Sequence, residues 1–219
     1  MALFGGLFSR PTAPAPVVFQ VPVMLPKLSA GASPEAPAGH LAGLLRQQKP
    51  VEAVSFLAHA LPERDAVRWA AQSCEMVSGQ QSAEDQRAAE TSRRWLAQPN
   101  EANRQEAGAA AAAAAHAGPG AWSAQAAAWS APSFGTGNAS PEPVPSGLVG
   151  QAVTGSVMLA AAMSHPGFKL PSPATQTAPA RAATLVATST PAPPPGANRE
   201  LCLLYKPFID RGIALATGA

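Results

Sequence analysis

An all-α fold is what this sequence predicts, and three stretches predict it. Residues 53–69 (AVSFLAHALPERDAVRW) and 121–130 (AWSAQAAAWS) carry bulky apolar side chains at helical spacing. Residues 148–163 (LVGQAVTGSVMLAAAM) are apolar almost all round, as expected of a helix at the centre of a helical domain. Together they imply a single helical-bundle-like domain, residues 41–165, with a C-terminal helix returning to it over residues 199–219. Two Pro-rich segments complete the chain: an N-terminal arm, residues 1–40, and an internal loop, residues 166–198.

The arm is punctuated by Pro11, Pro14, Pro16, Pro22, Pro26, Pro34 and Pro37, a spacing that no stable helix tolerates. It is nevertheless apolar, with Phe4, Leu7, Phe8, Phe19, Val21 and Met24 exposed unless something covers them. Such a segment either packs extended on its own domain or docks into a groove on a protein partner. Contact of the LFGGLF end with a membrane surface is a third reading. On the docking reading these six side chains are the partner-binding residues.

From residue 41 the pattern turns helical. Val54, Leu57, Ala58 and Leu61 fall at i, i+3, i+4 and i+7. Pro62 ends that helix and opens the next at its first-turn position, with Glu63 and Asp65 near the positive end of the dipole. Val67, Ala70, Ala71, Cys74 and Val77 form its stripe, and Gly79 stops it. Ser82 starts a third helix, with Asp85 three residues on in a partial capping box. Ala88, Ser92, Trp95 and Leu96 give that helix a weak inner face, and Pro99 closes it.

Asn100 caps a fourth helix, which alanine propensity carries to about Ala117. Gly118, Pro119 and Gly120 break it. The next helix sets Trp122, Ala126 and Trp129 on one stripe, so Trp69, Trp95, Trp122 and Trp129 are expected in one core. A loop spans residues 131–146. The apolar helix that follows runs for roughly 16 residues, short of the ~20 that a bilayer span needs, so no transmembrane segment is expected. Its Ala152, Ser156 and Ala160 make a small face suited to close packing. Residues 166–198 read as disordered by composition. Pro207 either starts or kinks the last helix, on which Leu204, Phe208, Gly212 and Leu215 share a face.

A net charge of +2 on 219 residues is too small to argue for nucleic acid, and the basic residues alternate with acids, as in Glu84, Asp85, Arg87, Glu90, Arg93 and Arg94. Cys74 and Cys202 read as buried thiols. The opening MALFGGLFSR lacks a secretory pattern and Ala2 excludes N-myristoylation, so a cytoplasmic location is expected. His40, His59, His116 and His165 have no metal spacing. His59 reads as a helix C-terminal cation or a hydrogen-bonded structural group. Glu63, Arg64, Asp65 and Arg68 read as first-turn acids with an Asp65–Arg68 pair. No phosphate loop, nucleophile elbow or Cys-x-x-Cys occurs. The expectation is therefore no catalytic residue, no metal and no cofactor.

Three stretches carry a family resemblance. FLAHALPERDAVRWAAQSCE (residues 56–75) is similar to a family signature, and AWSAQAAAWSAPSF (residues 121–134) is similar to that family's alanine-rich run ending in an aromatic-Trp-Ser segment. Here Ala128 and Ala131 stand where an aromatic and a glycine are usual. The third is a pair, LVGQAVTGSVMLAAA and KPFIDRGIALATG, similar to its closing helices. The order and spacing agree over residues 41–219. On these grounds the chain resembles the bacterial domain of unknown function numbered 6931. The resemblance implies one helical domain and an association with contractile, type VI-like secretion clusters. It implies no activity. The function expected is a non-enzymatic adaptor or chaperone-like binding protein in a secretion-linked assembly. A peripheral membrane-associated scaffold, anchored by the N-terminal apolar segment, is the alternative.

Overall fold

A computed structural model describes residues 17–28, 35–130, 133–134, 142–166 and 197–218. The fold is all-α. Among the described residues, eight helices follow in order: α1 (Glu35–Arg46), α2 (Pro50–Ala60), α3 (Glu63–Glu75), α4 (Ala83–Ala97), α5 (Glu101–Ala113), α6 (Pro119–Trp129), α7 (Leu148–Met163) and α8 (Ala197–Thr217). A 3-10 turn, Ser78–Gln80, separates α3 from α4, and a two-residue antiparallel pair, Ser133–Phe134 with Glu142–Pro143, lies between α6 and α7.

Local chemistry starts and stops these helices. Ser82 caps α4 by accepting from the Asp85 N–H at 3.2 Å, and Asn100 caps α5 by accepting from the Asn103 N–H at 2.9 Å. Pro50 and Pro119 occupy first turns, where no intrahelical N–H is missed. Pro62 stands one place earlier than its sequence reading, as the N-cap of α3. Two carbonyl ends are capped from afar: Arg64 donates to Leu96 O at 2.8 Å and Arg104 to Ala128 O at 2.6 Å.

Three boundaries differ from expectation. First, α1 starts at Glu35, inside the segment read as helix-free, and Pro37 is fully buried there. A proline in the first turn has no N–H to lose, because the first four are unpaired in any helix. Second, α5 ends at Ala113 rather than near Ala117. Ala115 and His116 turn left-handed, with φ of 51° and 52°. Alanine propensity favours continuing, but the start of α6 is pinned elsewhere in the fold, so the chain must reverse. Third, α8 starts at Ala197, so Pro207 lies inside the helix and does not start it.

The core is built around α6 and α7. Helix α7 packs against α2, α3, α6 and α8, which meets the expectation of a central helix. Helix α6 packs against α3, α4, α5 and α7. Its inner face is small rather than aromatic: Ala121, Ser123, Ala124, Ala126, Ala127 and Ala128 are buried. Trp122 and Trp129 are only half-buried against the core, whereas Trp69 and Trp95 are buried. The alanines let neighbouring backbones approach closely, which pushes both α6 indoles to the edge. Across the domain, Trp69 donates its indole N–H to Phe208 O at 2.9 Å. Helix α8 can lie on that ring only because residue 212 is glycine; a Cβ there would stand 2.9 Å from Trp69 Cε2.

Part of the arm belongs to this core. Leu25 and Leu28 are buried, and the Lys27 N–H donates to Ala216 O at 3.2 Å near the end of α8. The loop expected at residues 166–198 falls almost wholly outside the described residues.

Candidate functional site

The arm is the feature that the sequence singled out. Pro16 and Pro22 bracket residues 17–21 in the sequence, and Pro22 biases Val21 towards extended backbone. Burial alternates along the stretch. Val17, Phe19 and Val21 turn inward, while Val18, Gln20 and Pro22 face solvent. Lys206 from α8 sits 5.2 Å above the Phe19 ring. Between this extended stretch and the C-terminal turn of α1 runs a groove of about 390 Å³, floored by Ala42 and Leu45 and edged by Arg46 and Gln48.

The six candidate partner-binding residues therefore separate. Phe19 and Val21 pack on their own domain. Met24 is 51 % exposed. Phe4, Leu7 and Phe8 lie outside the described residues. Val18 and Val23, also part of the arm's apolar run, are left in solvent (71 % and 79 % exposed), and sequence reasoning missed Leu203 on α8 (47 %). It also missed Arg46 and Gln48, which belong to no motif and gain meaning only from the groove beside them.

The charged cluster at the start of α3 is a tether. Asp65 pairs with Arg68 at 2.6 Å, as the i, i+3 spacing suggests, and also with Lys27 of the arm at 3.4 Å. His59 packs on the first turn of α7. Its Nδ1 lies 2.8 Å from Ser55 O, which makes Nδ1 the donor. Its ring covers Gly150, where a Cβ would fall 2.6 Å from Cδ2. The exposed ring thus lies over two glycines of the α7 start, Gly147 and Gly150, rather than in a polar cleft.

A buried polar arrangement surrounds Asp85. Ser82 accepts from the Asp85 N–H, but the carboxylate does not complete a capping box. It turns to the start of α6, where it accepts from Gly120 N–H at 3.1 Å and Ala121 N–H at 2.8 Å. Gly118 and Gly120 make the approach possible. A Cβ on Gly118 would meet the Asp85 carboxyl at 2.4 Å, and one on Gly120 would meet Asp85 O at 2.1 Å. The Gly118-Pro119-Gly120 breaker is a cradle for a carboxylate of the same chain. Beneath it, Ser156 donates to Pro119 O at 2.8 Å and touches Cys74 Sγ at 3.6 Å, while Ser123 donates to Ser92. Burial pushes the Cys74 thiol up to about 12, so it stays protonated and is no nucleophile at neutral pH.

Burial also raises Asp85 above its ordinary 3.8, outweighing the Ala121 and Gly120 N–H bonds that favour the anion. The folded chain therefore holds this proton more tightly than the unfolded one. Between 3.8 and the raised value it carries more protons, so stability falls as pH climbs through that window and is flat above it. Asp85→Asn cannot ionise and removes that slope. Urea midpoints from about pH 4 to pH 7 should show the wild type losing ground to the mutant as pH rises. A difference independent of pH would refute this account.

Among the described residues, no three His, Cys, Asp or Glu side chains stand together as a metal site. None of the described helices is long and apolar enough to cross a membrane. No curated protein and no solved structure matches the chain. A family model does match, over residues 40–170. Those residues run from within α1 to just past α7, and hold both the Asp85 cradle and the central helix pair. By that match, over more than half its length, the chain belongs to the family of unknown function DUF6931.

Proposed function

We propose that this protein is a non-enzymatic helical adaptor, or chaperone-like binding protein, acting in the cytoplasm within a bacterial secretion-linked assembly. The observation that supports the reading is the divided arm. Leu25, Leu28 and Lys27 fasten it to the domain, while Val18, Val23 and Met24 remain exposed just beyond the apolar LFGGLF end. A fastened base and an apolar free face suit a docking element, because less of the ordering cost falls on the binding step.

The division changes which truncation is informative. A chain starting at Ala42 loses Leu25, Leu28, Ala38 and Leu41 from the core. Each fully buried leucine is worth about 1.5–3 kcal/mol, so that truncation is expected to destabilise the domain. A chain starting at Val17 keeps all four. Affinity capture from the native cell should then yield a partner with the full chain and at least tenfold less with the Val17 start, at equal melting temperature. Equal capture by both chains would remove residues 1–16 from the docking role. Sedimentation of the full chain with lipid vesicles, lost in the Val17 start, would favour the membrane scaffold instead.

A further inference from the structure

We propose that the groove between residues 17–21 and the C-terminal turn of α1 accepts an extended, apolar peptide strand carrying a carboxylate, supplied by a partner protein. The proposal rests on the binding-protein reading and names the surface and the chemistry of what binds there.

Four observations converge on it. The first is backbone. Residues 17–22 are neither helix nor turn and alternate in burial as an extended segment does, and among the described residues their N–H and C=O groups make no hydrogen bond. In a helical protein this is an isolated strand edge, open to strand addition. Pro16 and Pro22 limit it to five residues. The second is the floor. Ala42 and the buried Leu45 offer an apolar bed beside that edge, where alternate side chains of an added strand would rest.

The third is charge. Among the described residues, none that lines the groove is acidic, and Arg46 is exposed with no ion pair. The chain itself has little to offer it. Residues 1–34 contain no Asp or Glu, and neither do residues 167–196. Neither the N-terminal segment nor the arm of a second copy brings a carboxylate to Arg46, and residues 1–16 would bring another cation, Arg10. Their prolines 11, 14 and 16 also remove donors that a ladder requires. Complementarity therefore points to a different chain.

The fourth is Gln48. Lys49 N–H donates to Leu44 O at 3.0 Å and Gln48 N–H to Leu45 O at 3.1 Å, the paired bonds of a left-handed helix cap. Glycine is the usual residue at such a position, yet Gln48 holds φ 55°. Its side chain, accepted despite that conformation, places an amide donor and acceptor at the groove rim, suited to the backbone of an extended peptide.

The test is fluorescence anisotropy on the full chain. The probe is a fluorescein-labelled, end-capped hexapeptide, Asp-Val-Thr-Val-Thr-Val. Saturable binding is expected below about 1 mM. Arg46→Glu should weaken it at least tenfold without changing the melting temperature. A peptide with Lys in place of Asp should bind Arg46→Glu better than the wild type. N-methylation at alternate residues, which blocks the ladder, should also cost at least tenfold. The proposal is overturned if the wild type shows no saturation, or if Arg46→Glu binds the Asp peptide equally well. It is likewise overturned if binding appears only when residues 1–16 are removed, since the chain's own segment would then fill the groove. Arm-dependent partner capture with no peptide binding sinks this proposal and leaves the adaptor reading. Peptide binding without arm-dependent capture does the reverse to the arm's role.

Discussion

Val157→Asp is expected to abolish folding. Val157 is fully buried on α7, the helix that α2, α3, α6 and α8 enclose. The substitution forfeits about 1.5–3 kcal/mol of apolar burial. It also places a carboxyl where the lining is apolar, at a further cost of roughly 2–7 kcal/mol even when the group takes up a proton. The sum rivals the whole stability of an ordinary domain, about 5–15 kcal/mol. Far-ultraviolet circular dichroism should show no cooperative melt, and the protein should partition to the insoluble fraction. Val157→Ala, which only trims the side chain, should fold and melt at lower temperature. A Val157→Asp protein that melts within a few degrees of the wild type would mean that α7 is not enclosed.

Trp69→Ala carries the next largest effect. The ring is fully buried, bonded through its N–H to Phe208 O, and covered by α8 at Gly212. Emptying this volume should cost about 3–5 kcal/mol, or roughly 10 °C in melting temperature. Trp69→Phe retains most of the apolar area and should recover all but about 1–2 kcal/mol, the share of the lost indole bond and a smaller void. Trp122→Ala, at the edge of α6, should cost visibly less than Trp69→Ala. Equal losses at Trp69 and Trp122 would contradict the division between a central and a peripheral indole. Gly212→Val probes the same contact from the other side, since its side chain must displace the ring or the helix.

Much of the helical layout was legible because helix signals are local. Ser82 and Asn100 cap where their sequence positions suggest, and the apolar run at 148–163 is the central helix. Periodicity also identified the α8 face that carries Phe208 and Gly212, both buried. The α6 stripe misled, since large residues at i and i+7 invite the assumption that they face inward. Alanines on the other side gave closer packing, and the indoles took the rim. Pro37 misled in the opposite sense, because its cost depends on where in the helix it falls.

The candidate site was less legible. Phe19, Val21 and Met24 were marked by composition, but which of them are fastened and which are free depends on α8 and α1, far away in sequence. Arg46 and Gln48 carried no signal at all. Asp85 looked like half of a capping box, and its real partners are 35 and 36 residues on.

By itself the sequence determined what depends on neighbours within a few residues: the helical class, most helix starts and the central apolar helix. Only the tertiary structure decided which faces look inward, why α5 stops, and where the arm lies. The reason is that burial, charge and steric fit at a residue are set by the elements that close around it. At Asp85, Gly118 and Gly120, it is the meeting of α4 and α6 that gives each residue its role.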